Sequence, residues 1–276
     1  MPPVSGRLFL VGTPIGNLGD LTDRARDTLA AADLVAAEDT RRTGKLLAHL
    51  GIKARMVSLF EGNERERSER LLEELRGGGQ VALVSDAGMP SVSDPGFRLV
   101  RACAEEGIDV TVVPGPSAVT AALAISGLPM DRWVFEGFLP RRAAERRSRL
   151  RELATDRRTV VLFESPRRLV ATLREMLEEL GDRGVAVARE LTKLHEQVVR
   201  GRVSEVLEAF ADADPRGEVV VVLEGASPAA APLDELVAEA RALVEGGMRK
   251  RDAATDVAAR RGGSANAIYE GLVGPR

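Results

Sequence analysis

Short apolar runs alternate with longer amphipathic segments along most of this chain of 276 residues. The runs are rich in valine and leucine, as at Arg7 to Val11, Val81 to Val84 and Val219 to Leu223. Continuous apolar runs of this length are typical of strands buried on both faces, and the segments between them have helical length. The alternation therefore predicts an α/β protein with a largely parallel sheet.

The pattern divides the chain into three parts. We predict a first α/β domain over residues 1–117 with a largely parallel sheet. A second α/β domain follows over 118–225, and a predicted hairpin strand around Val198 and Val199 makes its sheet mixed. Residues 226–276 are predicted to form an alanine- and proline-rich linker and a small helical tail.

Cysteine and histidine are too scarce for several kinds of site. Cys103 is the single cysteine, and His49 and His195 are the two histidines. An internal disulfide and a three-histidine zinc centre are therefore excluded, and we expect no metal. The chain also has no apolar run of roughly 20 residues and no basic-then-apolar start, so we expect a soluble, cytoplasmic protein without membrane association.

Arginine dominates the positive charge, with 35 arginines against four lysines and a formal net charge of −3. Residues 141–158 hold eight arginines but only three acidic residues. Arg142, Arg146 and Arg149 fall on one face of a helix predicted there, which favours contact with RNA or phosphate. A solvated surface is the alternative. Basic residues at 249–251 and 260–261 form a second patch in the tail, where RNA contact is also predicted.

Three elaborate loops follow predicted strands, at 11–22, 85–96 and 113–118. Ligands of open α/β sheets bind beyond the carboxyl ends of the strands, so these loops predict a binding cleft. The glycines of the first loop, at positions 12, 16 and 19, match neither the dinucleotide fingerprint nor a P-loop. This spacing argues against a nicotinamide dehydrogenase and against a ligand whose phosphates must be cradled.

A fourth group of polar residues follows the predicted strand Leu34 to Ala37. Glu38 and Asp39 come directly before a predicted helix, with Arg41 in its first turn. The carboxylates could cap the helix, or they could face the same cleft as the loops.

Taken in order, these motifs resemble those of the tetrapyrrole methylase family. The resemblance covers about residues 7–272 and rests on the segments 11–20, 37–41, 85–88, 93–96, 114–118 and 163–168. It implies two α/β domains with S-adenosylmethionine bound in a cleft between them. The motifs are most similar to an RNA-modifying branch of the family, which implies methylation of the ribose 2′-hydroxyl of a cytidine in the decoding region of 16S rRNA. The implied partners are 16S rRNA or the small ribosomal subunit and a second copy of the chain in a homodimer.

The resemblance also assigns residues to the cleft. Those expected to bind the cofactor are Pro14, Asp86, Ala87, Gly88, Val92, Ser117, Ala118, Phe163 and Glu164. Removal of the hydroxyl proton needs a base, for which our candidates are Asp39, Glu38 and Glu61, in that order. Residues expected to contact RNA are Arg41, Arg142, Arg146, Arg149, Arg167 and Arg168.

One segment departs from the family pattern. Where the family often has His-Glu-His-Asn-Glu, this chain has Phe60-Glu61-Gly62-Asn63-Glu64, so a histidine base cannot operate there. Two other functions stay open at this stage. One is methylation of a small tetrapyrrole, and the other is a non-catalytic RNA-binding module that holds S-adenosylmethionine.

Overall fold

The computed structural model describes residues 6–211, 215–227 and 231–274. Its first sheet contains five parallel strands in the spatial order β3-β2-β4-β1-β5. The strands are β1 (Arg7–Val11), β2 (Leu34–Ala37), β3 (Met56–Ser58), β4 (Gln80–Val84) and β5 (Asp109–Val113). All four residues of β2 are buried, as expected for a strand covered on both faces.

Helices cover both faces of this sheet. They are α1 (Asp23–Ala31), α2 (Thr40–His49), α3 (Glu64–Arg76) and α4 (Phe97–Glu105), and a 3₁₀ turn spans Leu18–Asp20. The core on one face includes Leu8, Leu71 and Leu99, and the core on the other includes Leu29 and Leu47. The parallel order places the ends of β1, β2, β4 and β5, and the loops that follow them, at one edge.

The second sheet is mixed, in the order β6-β7-β10-β8-β9. Its strands are β6 (Trp133–Phe138), β7 (Thr159–Glu164), β8 (Gly184–Arg189), β9 (Gln197–Arg202) and β10 (Val219–Leu223). β6 pairs with β7 in parallel, whereas the β7–β10, β10–β8 and β8–β9 pairs are antiparallel. The predicted combination of a parallel and a mixed sheet is therefore confirmed.

Four helices pack on the second sheet: α5 (Ala118–Ser126), α6 (Ala143–Leu153), α7 (Pro166–Leu180) and α8 (Val203–Phe210). One face forms a core around Leu150, Leu169 and Leu173. The other face packs against α5, and Ile15 from the first loop joins that core. The loop after β1 therefore reaches across to the second sheet, so the two sheets share a packed boundary.

The predicted helical tail is confirmed as α9 (Leu233–Glu245), α10 (Lys250–Arg261) and α11 (Ala265–Val273). These helices enclose a small core of their own around Leu236, Val257 and Ile268. Residues 228–230 of the predicted linker lie outside the described residues. Within the described ranges, no helix is both long and apolar enough to cross a bilayer.

Candidate active site

A cavity of about 390 Å³ lies where the loop edge of the first sheet meets the second sheet. Eight of the nine predicted cofactor residues line it, namely Asp86, Ala87, Gly88, Val92, Ser117, Ala118, Phe163 and Glu164. The ninth, Pro14, lines a smaller neighbouring cavity of about 250 Å³ that shares Arg42 and Asp86 with the first. The structure thus brings residues from distant motifs together around one cleft.

Close backbone contacts hold the three loops in register. Thr13 and Gly88 exchange two backbone hydrogen bonds of 2.9 and 3.1 Å, which joins the loop after β1 to the loop after β4. A Cβ atom added at Gly12 would lie 2.7 Å from the Cα of Gly115 in the loop after β5. Because this neighbour is backbone, only glycine allows the first and third loops to approach so closely.

Glu38 and Asp86 join the ends of β2 and β4 by a reciprocal arrangement. The backbone N–H of Asp86 donates to the Glu38 carboxylate, and the backbone N–H of Asp39 donates to Asp86 Oδ1, both at 3.1 Å. Arg42 approaches the other carboxylate oxygen of Asp86 at 3.3 Å. Glu38 and Asp86 both line the cavity, so two carboxylates are fixed in its wall.

Asp94 adds a third carboxylate to the cavity wall. Burial raises the pKa of Asp94 to about 6, a hydrogen bond with Ser85 opposes this, and the charges of Glu38 and Asp86 reinforce it. Asp94 is not among the site residues predicted from the sequence. The available signal was its position in the same loop as Asp86, at the same edge of the sheet.

Strained backbone borders the cavity on two sides. Ser91 and Ser93 have φ values of 69° and 62°, and Val92 between them lines the cavity. Glu190 and Thr192 likewise have positive φ on either side of Leu191, another lining residue. Each such non-glycine residue costs about 1–2 kcal/mol, and such strain concentrates at functional sites.

The first-ranked base, Asp39, serves as a helix cap instead. Its carboxylate accepts a 2.8 Å hydrogen bond from the Arg41 backbone N–H at the start of α2 and also binds the Arg41 guanidinium. The Arg41 guanidinium holds the pKa of Asp39 well below its usual range. Asp39 is also not among the residues that line the cavity. These contacts favour Glu38 over Asp39, and the identity of the base stays a prediction.

The segment that departs from the family pattern is structural. Asn63 accepts from the Phe60 N–H and donates to the Ser58 carbonyl, which closes a turn. Glu64 is buried, and its carboxylate accepts from the backbone N–H groups of Gly96 and Arg98, both at 3.0 Å. Glu64 thus caps α4 and anchors the loop that carries Asp94. Glu61, the third candidate base, is exposed and lies outside the set of residues that line the cavity.

The structure corrects the prediction that Arg142, Arg146 and Arg149 present one RNA-binding face. Arg146 is buried and donates to both carboxylate oxygens of Glu175, at 2.6 and 2.8 Å. Arg149 is half-buried and binds Glu136. Arg142 remains exposed over 84% of its side chain, with an ion pair to Glu145.

Glu164 and Arg168 form a second internal group. The Glu164 carboxylate is fully buried and accepts from the Ser165 N–H at 2.7 Å, the Thr172 hydroxyl at 2.6 Å and Arg168 at 3.0 Å. Arg168 also donates to the Leu139 carbonyl. Glu164 therefore lines the cavity without turning a free carboxylate into it. Arg168 is held by Glu164 and the Leu139 carbonyl while 23% of its side chain stays exposed, so its contact with RNA stays a prediction.

Comparison with known proteins places this cleft in a family. Residues 7–207 match the family described as Tetrapyrrole (Corrin/Porphyrin) Methylases. The chain belongs to this family. Several relatives carry the name Ribosomal RNA small subunit methyltransferase I. The protein of that name from Mycobacterium tuberculosis (strain CDC 1551 / Oshkosh) is 52% identical over 258 residues, which cover 92% of this chain and 90% of the relative.

Two further relatives of that name come from other organisms. The Thermotoga maritima protein is 53% identical over 220 residues, which cover 80% of this chain and 99% of the relative. The Escherichia coli O157:H7 protein is 43% identical over 268 residues, which cover 96% of this chain and 94% of the relative. The identity therefore extends well beyond the loop motifs.

Solved structures confirm the family fold. Uroporphyrin-III-C-methyltransferase from Thermus thermophilus superposes with a TM-score of 0.57 at 25% identity, covering 79% of this chain and 94% of that one. Diphthine synthase superposes with a TM-score of 0.59 at 19% identity, covering 81% and 91%. The second likeness concerns the fold alone.

Proposed function

We propose that this protein is an S-adenosylmethionine-dependent methyltransferase that methylates the ribose 2′-hydroxyl of a cytidine in the decoding region of 16S rRNA. The observation that carries the proposal is the identity of 43–53%, over 80–96% of the chain, to proteins named Ribosomal RNA small subunit methyltransferase I. The cavity supports it, because the residues that the family motifs assign to the cofactor converge there.

The residues of the cavity fit this methyl donor. Glu38, Asp86 and Asp94 provide negative charge for its ammonium and sulfonium groups. Ser117 is the N-cap residue directly before α5, and its side chain makes no capping hydrogen bond. The first N–H groups of an α-helix lack partners within the helix. This helix start suits the carboxylate of the donor. Apolar residues such as Leu191 provide a surface for the adenine ring.

When bound, S-adenosylmethionine supplies an electrophilic methyl group on a positively charged sulfur. The protein has to orient the ribose hydroxyl and remove its proton. We assign proton removal to Asp94, whose carboxylate accepts the proton of the 2′-hydroxyl as that oxygen gains the methyl group. A base works best when its pKa lies near the working pH, which favours Asp94 over Asp39. Glu38 remains the alternative within the cavity.

The charge distribution suits an RNA substrate. The acidic cavity interior repels phosphate but admits an uncharged ribose and base. Arg41, Arg142 and Arg167 are exposed and Arg149 is half-exposed, so they stay the predicted phosphate contacts. Basic residues of the tail at 249–251 are exposed as well, and we keep the helical tail as a second contact. The proposed location is the cytoplasm, because the proposed substrate is ribosomal RNA. The homodimer that the family resemblance implies is kept as part of the proposal.

Methyl transfer to defined substrates tests the proposal. Purified protein is incubated with methyl-tritiated S-adenosylmethionine and, in separate reactions, small ribosomal subunits that lack the modification, deproteinised 16S rRNA and uroporphyrinogen III. We expect label in RNA from at least one of the first two reactions and none in the tetrapyrrole. Label in uroporphyrinogen III alone would instead support a small-molecule methylase.

The tetrapyrrole alternative has one observation in its favour, the structural likeness to uroporphyrin-III-C-methyltransferase. That likeness comes with 25% sequence identity, about half of the 52% identity to the Mycobacterium tuberculosis relative. A non-catalytic module would bind the donor and RNA without forming methylated product, so the same experiment separates all three functions.

A further inference from the structure

Phe138 is an exposed aromatic side chain at the mouth of the cavity. Other aromatic side chains of the described residues are also exposed, namely Phe60, Phe97, Trp133 and Tyr269, but none of these four lines the cavity. Phe138 leaves 60% of its surface accessible while it lines the cavity. Its ring lies 5.4 Å from the ring of Phe163, which in turn packs edge-on against Phe135 at 5.0 Å. The exposed ring therefore packs on two partly buried aromatic rings.

The backbone around Phe138 is built to present it. The register of β6 against β7 shifts between Phe135 and Phe138, which is a β-bulge or equivalent irregularity. Such irregularities redirect a side chain at the end of a strand. Gly137, inside the irregularity, has φ of 63°, a conformation that favours glycine. A Cβ at Gly137 would also lie 3.2 Å from Ser93 Oγ, so the end of β6 packs against the loop that carries Val92.

Val92 is a second exposed apolar residue that lines the cavity. It is 45% exposed, although it lies between the two strained serines Ser91 and Ser93. Strained backbone that holds an apolar side chain in water opposes stability, which points to a ligand that covers it. Phe138 ends β6 of the second sheet, Val92 lies in the loop after β4 of the first, and both line the same cavity while exposed, so we call them the mouth pair.

The surroundings of the mouth pair indicate an unpaired nucleotide as the occupant. Inside the cavity lie Glu38, Asp86 and Asp94, which disfavour an anionic ligand there. Outside, the exposed Arg142 follows Phe138 by four residues, and the exposed Arg167 lies in the first turn of α7, just after Ser165 and Pro166 of the cavity wall. An apolar aromatic surface between an acidic interior and a basic rim suits a nucleobase whose phosphates lie outside.

We propose that the mouth pair stacks on the base of the nucleotide that enters the cleft and so holds an RNA strand open for reaction. This inference rests on the proposed function for the identity of the substrate, and it assigns Phe138 and Val92 as RNA-positioning residues. Stacking of a base on an aromatic side chain tolerates any base, so the mouth pair contributes affinity and position rather than recognition of cytosine.

Binding of a fluorescent RNA tests the inference without relying on methyl transfer. The probe is a short single-stranded RNA in which 2-aminopurine takes the place of the base that enters the cleft, because stacking on the Phe138 ring quenches 2-aminopurine and stacking tolerates any base. The variants are Phe138→Ala, Phe138→Tyr and Val92→Ala, with Leu194→Ala as the control, since Leu194 is 93% exposed and lies outside the set of cavity-lining residues. Binding of S-adenosylmethionine is measured by calorimetry for each variant.

We expect Phe138→Ala to weaken RNA binding by about 10- to 100-fold and to abolish the quenching. Phe138→Tyr retains the RNA affinity and the quenching of the wild type. Val92→Ala weakens RNA binding less than Phe138→Ala does, and Leu194→Ala binds RNA as the wild type does. For the two Phe138 variants the dissociation constant for S-adenosylmethionine stays within about twofold, because a stacking role for RNA does not involve the donor. Val92 is also a predicted cofactor residue, so Val92→Ala is used for its effect on RNA binding alone. The same pattern in kcat/KM on small subunits would support the inference further.

Three results would overturn the inference. Unchanged RNA affinity in Phe138→Ala removes the stacking role. A loss of donor binding with unchanged RNA binding assigns Phe138 to the donor site. A change in oligomeric state by sedimentation shows that a second copy covers the mouth pair. If RNA binding depends on Phe138 but no RNA is methylated, the stacking inference stands and the proposed function is refuted. The experiment therefore distinguishes failure of the inference from failure of the proposed function.

Discussion

Arg146 on α6 and Glu175 on α7 form a two-pronged ion pair in the protein interior, with donor-to-acceptor distances of 2.6 and 2.8 Å. In the sequence, Arg146 looks like part of an exposed positive face. In the structure, it links α6 to α7 through Glu175. Neighbouring arginines extend this link, since Arg147 binds Glu178 and Arg151 binds Glu179. Much of the charge excess of α6 is therefore neutralised by α7.

This link predicts unequal effects of two substitutions on the same segment. Arg146→Ala should lower the free energy of unfolding by about 3–5 kcal/mol, because it leaves the Glu175 carboxylate buried without its partner. Arg142→Ala removes an exposed side chain and should change stability by less than about 0.5 kcal/mol. Urea denaturation of both variants measures the difference. Equal stability of the two variants would show that the buried pair does not link the helices.

Asp94 predicts a pH dependence of methyl transfer. As the proton acceptor it works only as the carboxylate, so the rate should rise with pH through about 6 and then level off. Asp94→Asn should lose this rise and at least about 100-fold in rate. Single-turnover rates between pH 5 and 8 provide the measurement. A rate of Asp94→Asn close to that of the wild type at pH 8 would return the role to Glu38.

Stability provides an independent check on Asp94. Folding raises its pKa from 3.8 to about 6, so the native state holds the proton more tightly than the unfolded chain. The stabilising contribution of the protonated group is present at low pH and is lost as the pH rises through about 6. Asp94→Asn avoids this loss, so it should unfold at a higher denaturant concentration than the wild type at pH 8. The difference should shrink towards pH 4.

The close approach of the first and third loops predicts that Gly12 tolerates no side chain. Gly12→Ala places a methyl group 2.7 Å from the Gly115 backbone, which forces the loops apart. We expect loss of at least about 1 kcal/mol of stability and about tenfold weaker binding of S-adenosylmethionine. Gly44→Ala is the matched control, since its nearest neighbour, Met56 Cε, would lie at an ordinary 3.6 Å and alanine favours the helix. Calorimetric titration that finds Gly12→Ala equal to Gly44→Ala would contradict the loop geometry.

Glu64 and Glu61 lie in one segment, but substituting them should affect stability and turnover differently. Glu64→Ala leaves the N–H groups of Gly96 and Arg98 without their acceptor, which should cost about 1–3 kcal/mol. Because Glu64 anchors the loop of Asp94, methyl transfer should fall as well. Glu61→Ala should leave both stability and turnover close to those of the wild type. Melting temperatures and turnover numbers of the two variants measure the difference. A large loss of turnover in Glu61→Ala alone would favour Glu61 as the base.

Elements whose pattern is local could be predicted well from the sequence. The strands predicted at Arg7 to Val11 and Val219 to Leu223 match the structure residue for residue, because a short continuous apolar run is typical of a buried strand. The cavity could also be predicted, since parallel strands bring the loops after them to one edge.

Features that depend on distant partners could not be predicted. The position of Arg146 on a helix says nothing of Glu175, which lies 29 residues away on the next helix. The raised pKa of Asp94 likewise depends on burial that only the packed sheets create. Asp39 is a different case, because a carboxylate directly before a helix is a local capping signal, and here the capping interpretation is the one that the structure supports.

The most direct test of the account is to find the modified atom. Small subunits that lack the modification are treated with the protein and S-adenosylmethionine, and the nucleosides and nuclease fragments of their 16S rRNA are analysed by mass spectrometry. We predict 2′-O-methylcytidine at one position in the decoding region, absent when Asp94→Asn is used. A methyl group on a base, or no methylated RNA alongside methylated tetrapyrrole, would contradict the account.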